Sequence, residues 1–516
     1  MNLVDPLKKW SELTPDTEAI IDIDRDIRIS FRDLLKRSLS VASGLSEMGL
    51  KKGDRVAILS SNRIEFFEIY YACAIAGFIA QPINWRLAPA EISRILEDGK
   101  PLVLICEDQF LDVQKKIKTI ARLPITYLEL GHSSDQTYEN LALGNENPEN
   151  TYEVYADDPV LILYTGGTTG LSKGALHTHH SLYMGMINQT VAERIVPTDV
   201  YMLTGQMFHI PVALAMNYLA HGCPCVLINF EAEKALKAIE QEKVSAFLGI
   251  TTMLNWMMAS ENFENYDLSS LRNIQYGGGP MAASVVKAAL DSFPCTLIQG
   301  YGQTEGMTMT FLSQEDHDNA IKGKNKQRLN SCGREGFVTR LKVADPDGNP
   351  VPKDGKASGE IVIKSEANML GYWQKPDLTK EIIKDGWMWT GDIATWDDEG
   401  YVYIIDRAKD MIISGGENIY STQVEAAIYN HPGVLECAVI GVPDEEWGES
   451  VKAVVVMKPG EISSEQEIID IARESLASYQ KPKSVDFLDT LPKAPTGKIL
   501  KRELRAPYWD SRSKNV

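Results

Sequence analysis

Over its first 300 residues the chain alternates short, β-branched apolar runs with longer stretches whose apolar positions recur at helical spacing. Residues 55–61 (RVAILSS) read as a strand and lead into 63–78, where the spacing is helical. Residues 88–98 repeat the helical pattern and 102–106 (LVLIC) read as a buried strand. The rhythm returns at 224–228, 234–242, 246–250, 285–293 and 296–299. Strand–helix units in succession predict parallel α/β layers. The pattern changes after about Glu335. Between residues 338 and 405 short alternating runs are separated by Asp347-Gly348, Asp385-Gly386 and Glu399-Gly400, which predicts a small antiparallel barrel or sandwich. From Met411 the helix–strand alternation resumes at 422–430, 438–442, 451–457 and 464–475. A charged cluster at 406–410 (DRAKD) separates the regimes, so a large domain is expected over 1–408 and a smaller α+β domain over 409–516.

Size and composition narrow the possibilities. A chain of 516 residues exceeds one ordinary core, and its 44% apolar and 24% charged residues suit a globular enzyme. With 52 Lys plus Arg against 71 Asp plus Glu, the net charge of -19 repels a nucleic-acid backbone. Seven scattered cysteines do not form a disulfide framework, and Cys223 and Cys225 lack a second ligand pair for zinc. The start, MNLVDPLKKW, lacks the apolar core of a signal peptide, and no run approaches a membrane span. A cytoplasmic location is the expectation.

Four clusters carry chemistry. Residues 164–174 read YTGGTTGLSKG: glycines let successive amides point at an anion, Thr165, Thr168, Thr169 and Ser172 add hydroxyls, and Lys173 adds charge. This is a phosphate-holding loop, although it lacks the Gly-Lys-Ser/Thr ending of the common ATPase loop. Residues 299–306 (QGYGQTEG) follow a strand and are expected on a loop at its carboxyl end. Tyr301 offers an aromatic face, Thr304 a hydroxyl and Glu305 a hard oxygen ligand suited to magnesium. At 389–392 (WTGD) the carboxylate of Asp392, expected at a strand end, can accept ribose hydroxyls, and Arg407 can support it or contact phosphate. In 492–500 (PKAPTGKIL), Lys498 sits on a loop from which it could enter a site and stabilise negative charge.

In this order the clusters resemble the adenylate-forming family, which comprises acyl-CoA synthetases, firefly-type luciferases and peptide-synthetase adenylation domains. The similarity is greatest to the acyl-CoA synthetases. It runs from about residue 5 to about residue 507, carried by YTGGTTGLSKG (164–174), GGGPM (277–281), YGQTE (301–305), WTGD (389–392), DRAKDMIISGGENIY (406–420) and PTGK (495–498). The resemblance implies an α/β fold: two parallel α/β layers and a small β-barrel in the large domain, followed by a mobile C-terminal domain bearing the catalytic lysine. It implies that Thr165, Gly166, Gly167, Thr168, Thr169, Gly170 and Lys173 close over the β- and γ-phosphates of ATP. Gly278, Gly279, Pro280 and Tyr301 would line the adenine slot, with Gly300 and Gly302 beside it. Thr304 would bind the α-phosphate, Glu305 with Thr165 would serve Mg2+, and Asp392 and Arg407 would hold the ribose. Lys498 would stabilise the pentavalent phosphorus. Lys409 would be the hinge, and Ser414, Gly415, Gly416 and Glu417 would line the coenzyme A tunnel. Ile413 stands where luciferase-type members carry a lysine, which removes positive support for light chemistry.

The same resemblance places His209, Ile210, Thr251, Gly277, Gly278 and Met307 around the acid, with His209 also counted among the catalytic candidates. His209 stands where amino-acid-activating members place an aspartate, so a substrate ammonium would lack its partner. The expected reaction is carboxylic acid–CoA ligation through acyl-AMP, on a medium- to long-chain fatty acid or, alternatively, a benzoate- or hydroxycinnamate-type acid. Expected partners are the acid, ATP and free coenzyme A, with no nucleic acid; a homodimer is compatible. Three other classes would leave different marks. An AMP transferase would have lost Glu305, Lys498 or 414–417; a nicotinamide oxidoreductase would need a different glycine spacing around 277–279; a luciferase-like oxygenase would emit light.

Overall fold

The computed structural model describes residues 2–131, 137–145, 152–165, 172–279, 281–414, 417–444, 447–476, 479–493 and 499–509. Its contacts divide the chain into two compact units. The first comprises Met1–Thr165, Ser172–Leu341 and Ile363–Met388; the second is built mainly from Lys342–Val362 and Trp389–Val516. By packing, residues 342–362 and 389–408 count with the second unit.

The first unit holds two large sheets. One has nine strands in the order Arg334–Glu335, Met307–Leu312, Thr296–Gln303, Asn273–Gly277, Ala246–Leu248, Tyr201–Leu203, Cys225–Leu227, Glu18–Asp22, Ile27–Ser30. From Thr296–Gln303 across to Glu18–Asp22 every neighbouring pair is parallel. The other sheet has seven strands: Gly371–Tyr372, Lys173–Thr178, Pro159–Thr165, Ile79–Pro82, Arg55–Leu59, Val103–Glu107 and Thr126–Leu130. These are the parallel layers expected from the strand–helix rhythm. Their strands read as unbroken apolar runs because both faces are covered. One core cluster includes Val56 and Ile58 from the second sheet and Ile20, Leu203 and Leu227 from the first. The helix Ile64–Ala76 is buried at every position but Glu65, which explains why it is apolar all round.

The expected small antiparallel sheet between 338 and 405 is present with five strands, and the division between units passes through its strands. Its turn pairs behave as their residue types dictate: Gly348, Gly386 and Gly400 all have positive φ, and Asp385 precedes Gly386 at φ 51°. The strand Trp387–Trp396, which falls in the second unit from Trp389 onward, runs antiparallel to Val402–Arg407. A further sheet follows, ordered Glu417–Ile419, Ile412–Ser414, Gly448–Met457, Val434–Asp444, with Ser484–Phe487 also on Gly448–Met457. The helices Ser421–Ile428 and Glu465–Ser475 help cover a core of Val424, Ile428, Val439, Val455 and Ile468.

All seven cysteines are free thiols and six are buried. No described helix is long and apolar enough to cross a membrane.

Candidate functional site

In the nine-stranded sheet, the parallel strands Tyr201–Leu203, Ala246–Leu248, Asn273–Gly277 and Thr296–Gln303 are adjacent and deliver their carboxyl ends to one edge. Open α/β sheets bind ligands at such an edge. His209 and Ile210 follow the first strand, Thr251 opens the helix after the second, Gly277 closes the third, and Gly300, Tyr301 and Gly302 lie within the fourth. The fold therefore gathers the acid-pocket and adenine candidates on one side of one sheet. Two of the glycines are obligatory. A β-carbon on Gly277 would lie 2.1 Å from the Gly300 carbonyl oxygen, and one on Gly302 would lie 1.9 Å from that of Met307. Gly278 has φ +75°, while a β-carbon on Gly279 meets nothing within 4 Å. Pro280 lies outside the described residues.

One expectation needs correction here. Residues 299–303 are not loop but the last part of the strand Thr296–Gln303, because Met307–Leu312 returns antiparallel and pairs Gln303 with Met307. Only residues 304–306 form the connecting turn, so Thr304 and Glu305 sit at a hairpin tip. That tip is tied three times. The Thr304 carbonyl oxygen lies 2.7 Å from His177 Nε2, the Glu305 carbonyl accepts from the Met369 amide at 2.8 Å, and Glu305 Oε1 accepts from the Tyr372 hydroxyl at 2.7 Å. Burial pushes His177 down to about 4 against the opposing effect of the Thr304 carbonyl, so the ring is neutral near pH 7. Burial also raises the Tyr372 phenol, with the Glu305 charge adding to it.

The candidate phosphate loop is described only at its two ends. Thr165 ends the strand Pro159–Thr165, Lys173 opens Lys173–Thr178, and the two are cross-strand partners. Thr165 Oγ1 donates to the Lys173 carbonyl at 3.4 Å, and Lys173 Nζ stands 5.1 Å from the centre of the Tyr372 ring. Gly166, Gly167, Thr168, Thr169 and Gly170 lie outside the described residues.

Around the acid candidates, the His209 ring meets Phe208 edge-on at 4.6 Å between centroids. Its Nε2 is buried and, among the described residues, has no hydrogen-bond partner. Burial, with the Arg86 charge adding to it, pushes the imidazole down to about 4. An imidazole held there is uncharged near neutrality and a poor proton shuttle. Met307 is buried at φ 56°, and a β-carbon on Gly185 would lie 3.2 Å from its Cγ.

The second unit carries the ribose candidates. Asp392 lies inside the ten-residue strand Trp387–Trp396 rather than at its end, directly opposite Arg407. Arg407 Nε donates to Asp392 Oδ1 at 2.5 Å, and the Asp392 side chain is only 3% exposed. The hinge candidate Lys409 offers its carbonyl to Arg505 at 2.8 Å, and the same guanidinium reaches Asp410 at 2.9 Å. On the same helix, Lys501 donates to Ser421 at 2.6 Å and pairs with Glu425 at 2.7 Å. Ser421 in turn donates its amide and hydroxyl to Asp406 at 2.5 and 2.8 Å. Ser414 ends Ile412–Ser414, opposite Gly448 and Glu417 on neighbouring strands. Gly415, Gly416 and Lys498 lie outside the described residues.

Among the described residues no three His, Cys, Asp or Glu side chains gather as a metal cage. Glu305 nonetheless suits Mg2+. Tyr372 occupies Oε1, no described residue donates to Oε2, and magnesium commonly binds through one or two carboxylates plus substrate phosphates. His177, Met369, Tyr372 and Arg505 escaped the motif reading. Only the run HTHH at 177–180, whose first imidazole lies on a buried strand, could have drawn attention to one of them.

The AMP-binding enzyme family matches residues 7–373, and the AMP-binding enzyme C-terminal domain matches 423–498. The chain is 37% identical over 484 residues to a feruloyl-CoA synthase of an Amycolatopsis species, covering 93% of this chain and 94% of that protein. It is 36% identical over 508 residues to a long-chain-fatty-acid–CoA ligase of Mycobacterium tuberculosis, covering 97% of each. Among solved structures, ATP-bound MatB from Rhodopseudomonas palustris matches with a TM-score of 0.87 at 28% identity, over 99% of this chain and 100% of that one.

Proposed function

The chain belongs to the AMP-binding enzyme family, and on that footing we propose that it is an AMP-forming acid–CoA ligase. A carboxylate resists thiol attack because it is an anion with a poor leaving group. Its oxygen therefore first attacks the α-phosphorus of ATP, giving acyl-AMP and pyrophosphate. The sulfur of coenzyme A then attacks the acyl carbon and AMP leaves. The observation that carries this reading is the triply tethered hairpin tip at Thr304 and Glu305, standing at the carboxyl edge where the acid candidates also gather. Catalysis of this kind is chiefly positioning and charge stabilisation.

In this reading Thr304 donates to the α-phosphate and Asp392 accepts the ribose hydroxyls while Arg407 fixes its carboxylate. Gly278–Pro280 and Tyr301 flank adenine, and residues 165–170 with Lys173 cover the outer phosphates. Lys498 meets the charge growing on phosphorus. The domain after residue 408 turns about Lys409, bringing 414–417 to the nucleotide for the thioester step. Glu305 would hold Mg2+, which when bound neutralises phosphate charge. Action in a reducing cytoplasm accords with seven unpaired thiols.

A medium- to long-chain fatty acid is the first substrate reading, supported by the mycobacterial relative. An aryl acid is the second, supported by the feruloyl-CoA synthase and by the unpartnered His209 Nε2, which a ring hydroxyl could satisfy. Acid-dependent ATP–pyrophosphate exchange over a panel of alkyl and aryl acids, with and without coenzyme A, tests both levels. Exchange with at least one acid, and thioester only when coenzyme A is present, is the expected result. Absence of exchange with every acid offered would overturn the ligase; faster turnover of a hydroxycinnamate than of octanoate would select the aryl reading.

A further inference from the structure

We propose that His177 is a positioning residue for adenylation, aiming the Thr304–Glu305 tip by holding the Thr304 carbonyl; this rests on the ligase reading above. His177 lies on Lys173–Thr178, the strand that leaves the phosphate loop in the seven-stranded sheet, and is fully buried. Its Nε2 reaches 2.7 Å to the Thr304 carbonyl, at the hairpin tip of the nine-stranded sheet. One side chain thus joins the two sheets where each presents a nucleotide candidate.

The partners fix the tautomer. A carbonyl only accepts, so Nε2 carries the hydrogen. Nδ1 is then a lone pair, and it faces the Ser181 hydroxyl at 3.1 Å. Ser181 is itself held at the start of the helix His179–Glu193 by exchanging bonds with Thr178. The imidazole is therefore oriented from behind and points its single N–H at Thr304. Fixing that carbonyl fixes the peptide plane between Thr304 and Glu305, and with it the directions of the Thr304 hydroxyl and the Glu305 side chain. Tyr372 and the Met369 amide restrain Glu305, whereas among the described side chains the His177 ring is what grips Thr304. A hydroxyl displaced by a fraction of an ångström loses its phosphate contact as the phosphorus becomes five-coordinate.

The test compares His177→Gln, which keeps a donor near the Nε2 position, with His177→Leu and His177→Asn, which do not reach. Wild-type exchange activity is the control: if wild type is inactive, the ligase reading fails, independently of His177. With wild type active, His177→Leu and His177→Asn should lower kcat for exchange by about 10- to 100-fold and raise KM for ATP, with KM for the acid within about threefold. His177→Gln should recover to within about fivefold of wild type. Melting temperature is measured on all three. Activity that follows the donor and not the melting temperature supports the assignment. Wild-type kinetics in a folded His177→Leu or His177→Asn enzyme, or losses that follow melting temperature alone across the three variants, would overturn it.

Discussion

Thr304 and Glu305 in the first unit and Asp392 and Arg407 in the second are held by different kinds of chemistry. The first pair is tied by uncharged donors: an imidazole kept neutral by burial, a phenol and a backbone amide. The second pair is an ion pair, and around it run further charge contacts, Arg505 with Asp410 and Lys501 with Glu425. Neutral hydrogen bonds in a dry interior are directional and indifferent to salt. Ion pairs tolerate small displacements of long side chains, and partly buried ones such as these are screened by salt only weakly. The chemistry matches the work proposed for each region, since the tip must hold one geometry and the second unit is expected to turn.

The largest test of this contrast is Glu305→Gln. The amide oxygen can still accept from Tyr372, so the tip stays tethered while the anionic ligand is lost. Exchange turnover should fall by about a hundredfold with the melting temperature nearly unchanged. A parallel collapse in stability would mean that the charge, not the tether, organises the tip.

A buried carboxyl of the first unit adds a pH response of its own. Glu193 ends the helix His179–Glu193, accepts from Tyr218 at 2.6 Å and pairs with Gln189, and burial raises it from 4.5 to about 7 against those bonds. A carboxyl raised on folding stabilises below pH 4.5, and that contribution is lost as pH rises to 7. Relative to Glu193→Gln, wild type should therefore lose on the order of 3 kcal/mol between pH 4.5 and pH 8, read by urea denaturation. A difference independent of pH would show that Glu193 is already ionised in the folded protein. Depressed histidines, His177 and His209 among them, act with the opposite sign: their stabilisation is present above pH 6.5 and lost as pH falls toward 4.

A smaller effect is expected in the second unit. Asp392→Asn keeps the shape and one acceptor but removes the charge facing Arg407, so KM for ATP should rise by about tenfold with KM for the acid unchanged. Because Asp392 is buried, the difference between wild type and variant should persist when salt is raised from 0.05 to 0.5 M. If salt erases it, the ion pair is not what holds the ribose carboxylate.

The sequence was most legible where chemistry is written locally. Asp392 and Arg407, read as one cluster, are cross-strand partners, whereas the loop at 164–174 is described only at its ends. The parallel layers followed from apolar rhythm, and the turn pairs fell at glycines with positive φ. The hairpin at 303–307 misled because Gly302, Gln303, Thr304 and Glu305 look like loop, and only the returning strand Met307–Leu312 makes 299–303 extended. Asp392 misled in the opposite sense, read as a strand end although Gly391 at φ +74° merely bends a strand that continues to Trp396. His177, Tyr372 and Met369 were silent for another reason. Their partners lie 127, 67 and 64 residues away, a distance that no local pattern spans.

The bare wall at the carboxyl edge has a consequence for anyone wishing to retune the range of acids accepted. At residue 277 any added carbon is driven into a peptide oxygen of the adjoining strand, so enlargement there would part the strands before it shortened the cavity. At residue 278 the backbone is left-handed at φ +75°, so any side chain there is strained whatever room it finds. Retailoring chain length should therefore begin outside the glycine run, at Ile210 or Thr251.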